Sequence, residues 1–250
     1  MDKNYNIFLS LCICLLASLN QKHTLKYNSS VKMADENLIQ TMEIKAPAPV
    51  LKTVAGYPSL INIDTTKATK MTFEQLPKIR YLDTEFLLIN DKHIFSLTPQ
   101  TNENYIILDN QRYDLKQCHI HVSAKHKIDG KLNHMELHIV HESTAGNLAI
   151  MGVFLQIGEE NDILREAFEK SSQVSKNRPL LLQKINLREL IPYKTRILRY
   201  EESLDHQEKQ WILCEKAISL SSEQLDSFIA HFGIRSRTTF QENVQPLLYY

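Results

Sequence analysis

Two short runs with alternating side chains, both carrying histidine, constrain this chain more than anything else in it. The first is Asp114-Leu115-Lys116-Gln117-Cys118-His119-Ile120-His121 and the second is Met135-Glu136-Leu137-His138-Ile139-Val140-His141. An extended strand turns successive side chains to opposite faces, so Gln117, His119 and His121 point one way. Glu136 and His138 likewise share a face, with Leu137 and Ile139 on the other. If the two strands are neighbours, three imidazoles converge on one point, with a carboxylate and an amide beside them. Three neutral nitrogen ligands and an open fourth position are what a catalytic Zn²⁺ requires. Gln117 and Glu136 are placed to fix the tautomer and ring orientation of the ligands. A lone His-x-His on a strand is more often surface decoration. Here the pattern continues past Gly130-Lys131 to a Glu-x-His, with His138 seventeen residues beyond His121.

The rest of the chain reads as one sheet-rich domain behind a leader. Residues 1–20 hold a thirteen-residue apolar run, Ile7 to Leu19, which is short for a membrane span but suits the core of a signal peptide. An uncleaved membrane anchor is the alternative, and initiation at Met33 would instead give a cytoplasmic protein. Residues 21–50 end in Ala46-Pro47-Ala48-Pro49 and read as a flexible linker. From residue 51 to 250 short apolar runs dominate: Leu60–Ile63, Phe86–Ile89, Tyr105–Leu108, Leu115–Val122, Met135–His141, Ala149–Gln156, Thr195–Tyr200 and Trp211–Ala217. Asp129-Gly130 reads as a tight hairpin turn. Helical spacing appears from Asn161 to Ser171, and again from Ser221 to Gly233, where Ser221 and Gln224 form a capping-box start. Acidic and basic residues balance at 29 each, so no basic field points to nucleic acid. Once the leader is removed only Cys118 and Cys214 remain, too few for a disulfide framework.

Taken together, the ordered motifs resemble the α-class carbonic anhydrases in the compact spacing of their bacterial members. Ser59-Leu60-Ile61-Asn62-Ile63 is similar to the family's opening Q-S-P-I-N-I, and Asn90-Asp91-Lys92-His93 stands where the family has N-N-G-H. Leu148 to Leu155 is similar to its L-A-V-x-G-x-F-L strand. Leu187 to Pro192, Arg199-Tyr200-Glu201, Trp211-Ile212-Leu213, Ser221 to Leu225 and Gln245-Pro246-Leu247 follow in the family's order. The resemblance covers roughly residues 57 to 248. It implies a mainly β fold, a large twisted, mostly antiparallel sheet of about ten strands with a few short helices outside. It further implies reversible hydration of CO₂ to bicarbonate by zinc-bound hydroxide, with Zn²⁺ on His119, His121 and His138. Gln117 and Glu136 would support those ligands, His93 would shuttle protons, and Val140, Ile150, Leu204 and Trp211 would line the apolar pocket. CO₂ and bicarbonate are then the small-molecule partners, with no stable membrane span in the mature chain and a periplasmic or secreted location.

Two departures from the family's pattern bear on activity. Ser123-Ala124-Lys125-His126 replaces P-S-E-H, so lysine stands where the family has the glutamate that orients a gatekeeper threonine. Tyr200-Glu201-Glu202-Ser203-Leu204-Asp205-His206-Gln207 replaces Y-E-G-S-L-T-T-P, and four residues are missing before Trp211. Asp205 at the threonine's place, held by Lys125, would keep a hydrogen-bond relay with both partners exchanged. The alternatives are a carbonic-anhydrase-like binding module without efficient catalysis, or hydrolysis of small esters by the same centre. The family's early cysteine and its partner are both missing.

Overall fold

Alternating apolar positions become sixteen strands among the described residues, which are 60–90, 95–175, 177–204, 207–232, 240–242 and 246–250 of a computed structural model. All lie within the unit Lys45–Tyr250. The leader and the linker fall outside them, as do His93 and Asp205, and of Leu204 only the backbone is described. In chain order the strands begin β1 (Leu60–Ile63), β2 (Thr69–Lys70), β3 (Lys78–Arg80), β4 (Thr84–Asn90), β5 (Phe95–Pro99), β6 (Tyr105–Leu108), β7 (Gln111–Val122) and β8 (His126–Ile128). They continue with β9 (Lys131–Leu132), β10 (Met135–Glu142), β11 (Leu148–Ile157), β12 (Leu180–Ile185), β13 (Ile197–Leu204), β14 (Gln207–Leu220), β15 (Phe240–Glu242) and β16 (Leu248–Tyr249). Two α-helices, α1 (Asp162–Glu169) and α2 (Ser222–Phe232), complete the described set, with a few single 3₁₀ turns.

Ten strands run in one path, β12-β4-β5-β7-β10-β11-β14-β13-β16-β2, with β3 and β6 attached to make a twelve-stranded sheet. Most of its neighbours are antiparallel, but the central β11–β14 pair is parallel. A second sheet, β15-β1-β8-β9, is smaller. The Asp129-Gly130 turn joins only the short β8 and β9, not β7 to β10 directly. Both residues have positive φ, 48° and 78°, as a two-residue turn matched to strand twist demands.

The middle of the large sheet is covered on both faces, which explains why β10 and β11 read as nearly continuous apolar runs. One face carries the larger core, where Phe95 meets Phe168 of α1 and Phe228 and Phe232 of α2 at centroid distances of 6.0, 5.2 and 5.3 Å. The helix starts agree with the sequence. Asn161 caps α1, and Ser221 and Gln224 exchange the two bonds of a capping box. Gln224 also bonds the backbone of Asn161, tying the two helix starts together. The other face carries a smaller core that includes Val140, Ile150, Phe154, Tyr200, Trp211 and Leu213. The histidines are on this second face.

Candidate metal centre

Strand register assembles the site. Across β7 and β10, His119 stands opposite His138, His121 opposite Glu136, and Gln117 opposite Val140. The three imidazoles expected from alternation do converge: ring centroids lie 4.9, 5.1 and 4.6 Å apart. One ligand nitrogen from each falls within 4.8 Å of the other two. Burial pushes His119 down to about 3 and holds His121 well below the usual imidazole range, with neighbouring histidines and Lys125 adding to the effect. Burial also lowers His138, against the pull of Glu136. Three neutral rings keep their lone pairs at pH 7, which is the protonation state a metal requires.

Glu136 is fully buried and saturated with donors. Its Oε1 accepts from His138 Nε2 at 2.8 Å and from His126 Nδ1 at 2.7 Å. Its Oε2 accepts from the backbone N–H groups of Lys125 and His126 at 2.7 and 3.0 Å. Burial alone would raise this carboxyl, but His126 and His138 beside it hold it well below the usual range. An ionised Glu136 puts the proton of His138 on Nε2, so Nδ1 faces the site with its lone pair. His126 in turn accepts at Nε2 from the Tyr200 hydroxyl at 2.8 Å. His126, Glu136 and His138 therefore also cluster at metal-binding distance, yet their facing atoms are spent on one another. That second cluster is a hydrogen-bond network, not a metal site.

Gly152 makes room for the carboxylate. It stands opposite His138 on β11, and a Cβ there would lie 2.6 Å from Leu213 Cδ2 and 3.0 Å from Glu136 Oε1. Next to the histidine row, Gln117, Val140, Ile150, Trp211 and Tyr200 form a second row across five strands. Val140, Ile150 and Trp211 are thus brought together as a buried wall. Trp211 lies edge-on to His138 and His126, at 5.1 and 4.8 Å, and stacks on Tyr200 at 6.1 Å.

Two expectations need adjustment. Gln117 has the right face, but His119 Nδ1 is buried without a hydrogen-bond partner, so the supporting bond from Gln117 is not made. Leu204 is not in the wall row. Pairing of β13 with β14 continues to Leu204↔Gln207, leaving only residues 205 and 206 between the strands. Leu198 is the β13 residue of the histidine row, and six residues of extended strand carry Leu204 about 20 Å along from it. Lys125 enters through its backbone N–H on Glu136 and through its charge, felt by all three histidines. Sequence reading gave no role to His126, Tyr200 or Glu202, whose Oε2 accepts from Trp211 Nε1 at 3.1 Å. His126 sits on a strand of the smaller sheet, where alternation along β7 and β10 says nothing of it.

Known proteins agree with this geometry. The family model for eukaryotic-type carbonic anhydrase matches residues 57–247. A carbonic anhydrase of Nostoc sp. is 30% identical over 193 residues, covering 75% of this chain and 70% of its own. One from Klebsiella pneumoniae is 27% identical over 175 residues, covering 68% and 70%. Among solved structures, the α-carbonic anhydrase of Thermovibrio ammonificans in complex with the inhibitor sulfanilamide superposes with a TM-score of 0.66 at 26% identity. That match covers 76% of this chain and 85% of the other. A hyperthermostable carbonic anhydrase from a hydrothermal vent chimney gives 0.64 at 28%, covering 77% and 87%. The histidine triad, the buried carboxylate behind it and these matches together place the chain in the eukaryotic-type, or α, carbonic anhydrase family.

Proposed function

We propose that the chain is a zinc-dependent carbonic anhydrase that reversibly hydrates CO₂, at a rate below that of the family's efficient members. The observation that carries this reading is the convergence of three neutral imidazoles, one of them locked by Glu136 with its Nδ1 towards the site. The donor set suits Zn²⁺: three borderline-soft imidazole nitrogens brought to one point. His119, His121 and His138 would hold the ion. When bound, it supplies Lewis acidity that yields a water-derived nucleophile at neutral pH.

The chain's own residues do the rest. Glu136 fixes the ring of His138 and offsets positive charge, and Tyr200 and His126 hold Glu136 from behind. Val140, Ile150 and Trp211 offer CO₂, an apolar molecule, a dry surface beside the histidines. His93 would pass protons to solvent, since an imidazole near pKa 6.5 exchanges them fastest at neutrality. Asp205, held by Lys125, would accept a hydrogen bond from the nucleophile. The continuous β13–β14 hairpin supports a reduced rate, because it leaves two residues where the family's pattern has a longer loop. Export fits the apolar run Ile7 to Leu19, and no described helix is long and apolar enough to cross a membrane.

Elemental analysis tests the metal assignment. One zinc per chain is expected in the wild-type protein, and none in His119→Ala or His138→Ala. Wild-type protein that is metal-free and refuses reloading would sink it.

A further inference from the structure

Among the described residues of the β13–β14 hairpin, Glu202 sets a carboxylate against the site through Trp211. The family's pattern has glycine at this place, so the side chain is an addition of this chain. Glu202 shares a face of β13 with Leu198 and Tyr200, and its Oε2 reaches the indole N–H of Trp211. Trp211 is buried, is the chain's single tryptophan, and packs against His138, His126 and Tyr200. The ring is thus packed on its faces and edges. A turn about Cβ–Cγ would carry both its benzo ring and its N–H to the other side, so packing and hydrogen bonding act on the same choice of orientation. Only one orientation directs N–H at Glu202. The other leaves a buried donor without a partner and is disfavoured.

We propose that Glu202 is a positioning residue for the pocket wall. Its hydrogen bond adds to the packing of His126, His138 and Tyr200 in holding one orientation of Trp211, and so helps fix the apolar surface beside the histidines. The catalytic consequence rests on Trp211 belonging to the wall that CO₂ meets, whereas the orientation of the indole does not.

The full chain is studied as wild type, Glu202→Gln, Glu202→Ala, Glu202→Gly and Trp211→Phe. With one tryptophan, emission and acrylamide quenching report Trp211 directly, in metal-free as well as zinc-loaded protein. Glu202→Ala and Glu202→Gly are expected to shift the emission maximum and speed quenching. In zinc-loaded protein they raise KM for CO₂ about threefold to tenfold, the net worth of one typical hydrogen bond, with kcat nearly unchanged. Glu202→Gln keeps an accepting oxygen and stays within about twofold of wild type. In the Trp211→Phe background, which has no N–H to hold, removing Glu202 has no further effect on KM. Wild-type emission and quenching in both Glu202→Ala and Glu202→Gly overturn the proposal. So does a Glu202→Gln protein as impaired as Glu202→Ala, since charge would then matter and not the hydrogen bond. A wild-type protein without hydration activity defeats the functional reading alone, and the emission measurements still decide the positioning role.

Discussion

Replacing Glu136 by glutamine changes one atom and should cost the site its metal affinity. The carboxylate receives four donors, two imidazole nitrogens on Oε1 and two backbone N–H groups on Oε2. An amide keeps only one oxygen. Turning its NH₂ towards the backbone would set it against two buried N–H donors, at about 1–3 kcal/mol each. The cheaper arrangement keeps oxygen on the backbone side and aims NH₂ at the imidazoles. His138 Nε2 must then accept, which moves its proton to Nδ1, the atom meant for the metal. Zinc binding therefore has to displace that proton. Loss of such a supporting group typically lowers affinity 10–100-fold, about 1.4–2.7 kcal/mol. Competition with a chromophoric chelator at fixed pH measures the affinity, and a melt of the metal-free variant confirms that the fold is retained. A Glu136→Gln protein that binds zinc within about twofold of wild type would refute the reasoning.

Gly152→Ala should destabilise the protein by about 1–3 kcal/mol, because the new Cβ meets Leu213 at 2.6 Å and Glu136 at 3.0 Å inside a packed sheet. An unchanged denaturant midpoint would show that the sheet relaxes around it. Acid should weaken the metal-free fold through His141, which is buried between the Tyr81 hydroxyl and the Ala149 carbonyl and pushed down to about 4 by burial. Its folded value lies below the unfolded 6.5, so its contribution is complete above pH 6.5 and is lost as pH falls towards 4. That amounts to about 3 kcal/mol from this residue. Unfolding free energies that stay flat across that window would contradict the assignment. For the exchanged relay, Asp205→Ala should lower hydration and move its pH profile towards acid, while Lys125→Ala should move it towards alkali. Faster hydration in Asp205→Ala would mean the carboxylate blocks the open position, and no change in either variant would make both solvated surface charges.

Much of the site was legible because strand geometry is local. A period of two fixes which of Gln117, His119 and His121 share a face, and the same period on Glu136 and His138 completes the set once the strands pair. The capping box of α2 was legible for a similar reason, since its two partners are three residues apart. What escaped the sequence depends on distance along the chain. Tyr200 joins His126 from 74 residues away, and no spacing rule announces that bond. Gly152 could be quoted as part of a motif, but its reason, the carboxylate against it, exists only after β10 and β11 are in register. Gln117 shows the opposite limit: sharing a face with His119 does not make a hydrogen bond. The missing residues after Leu204 were plain in the sequence. Their consequence, a hairpin paired to its end, was not.

Stopped-flow hydration of CO₂ by the zinc-loaded full chain, beside the metal-free protein and His138→Ala, tests the central claim most directly. Losing a positioned hydrogen-bond partner of a nucleophile commonly costs about 10²–10³ in kcat. The expected result is a zinc-dependent rate clearly above buffer, well below that of the family's efficient members, and absent from His138→Ala. A rate that does not depend on zinc, or no rate at all from protein carrying one zinc per chain, would contradict it.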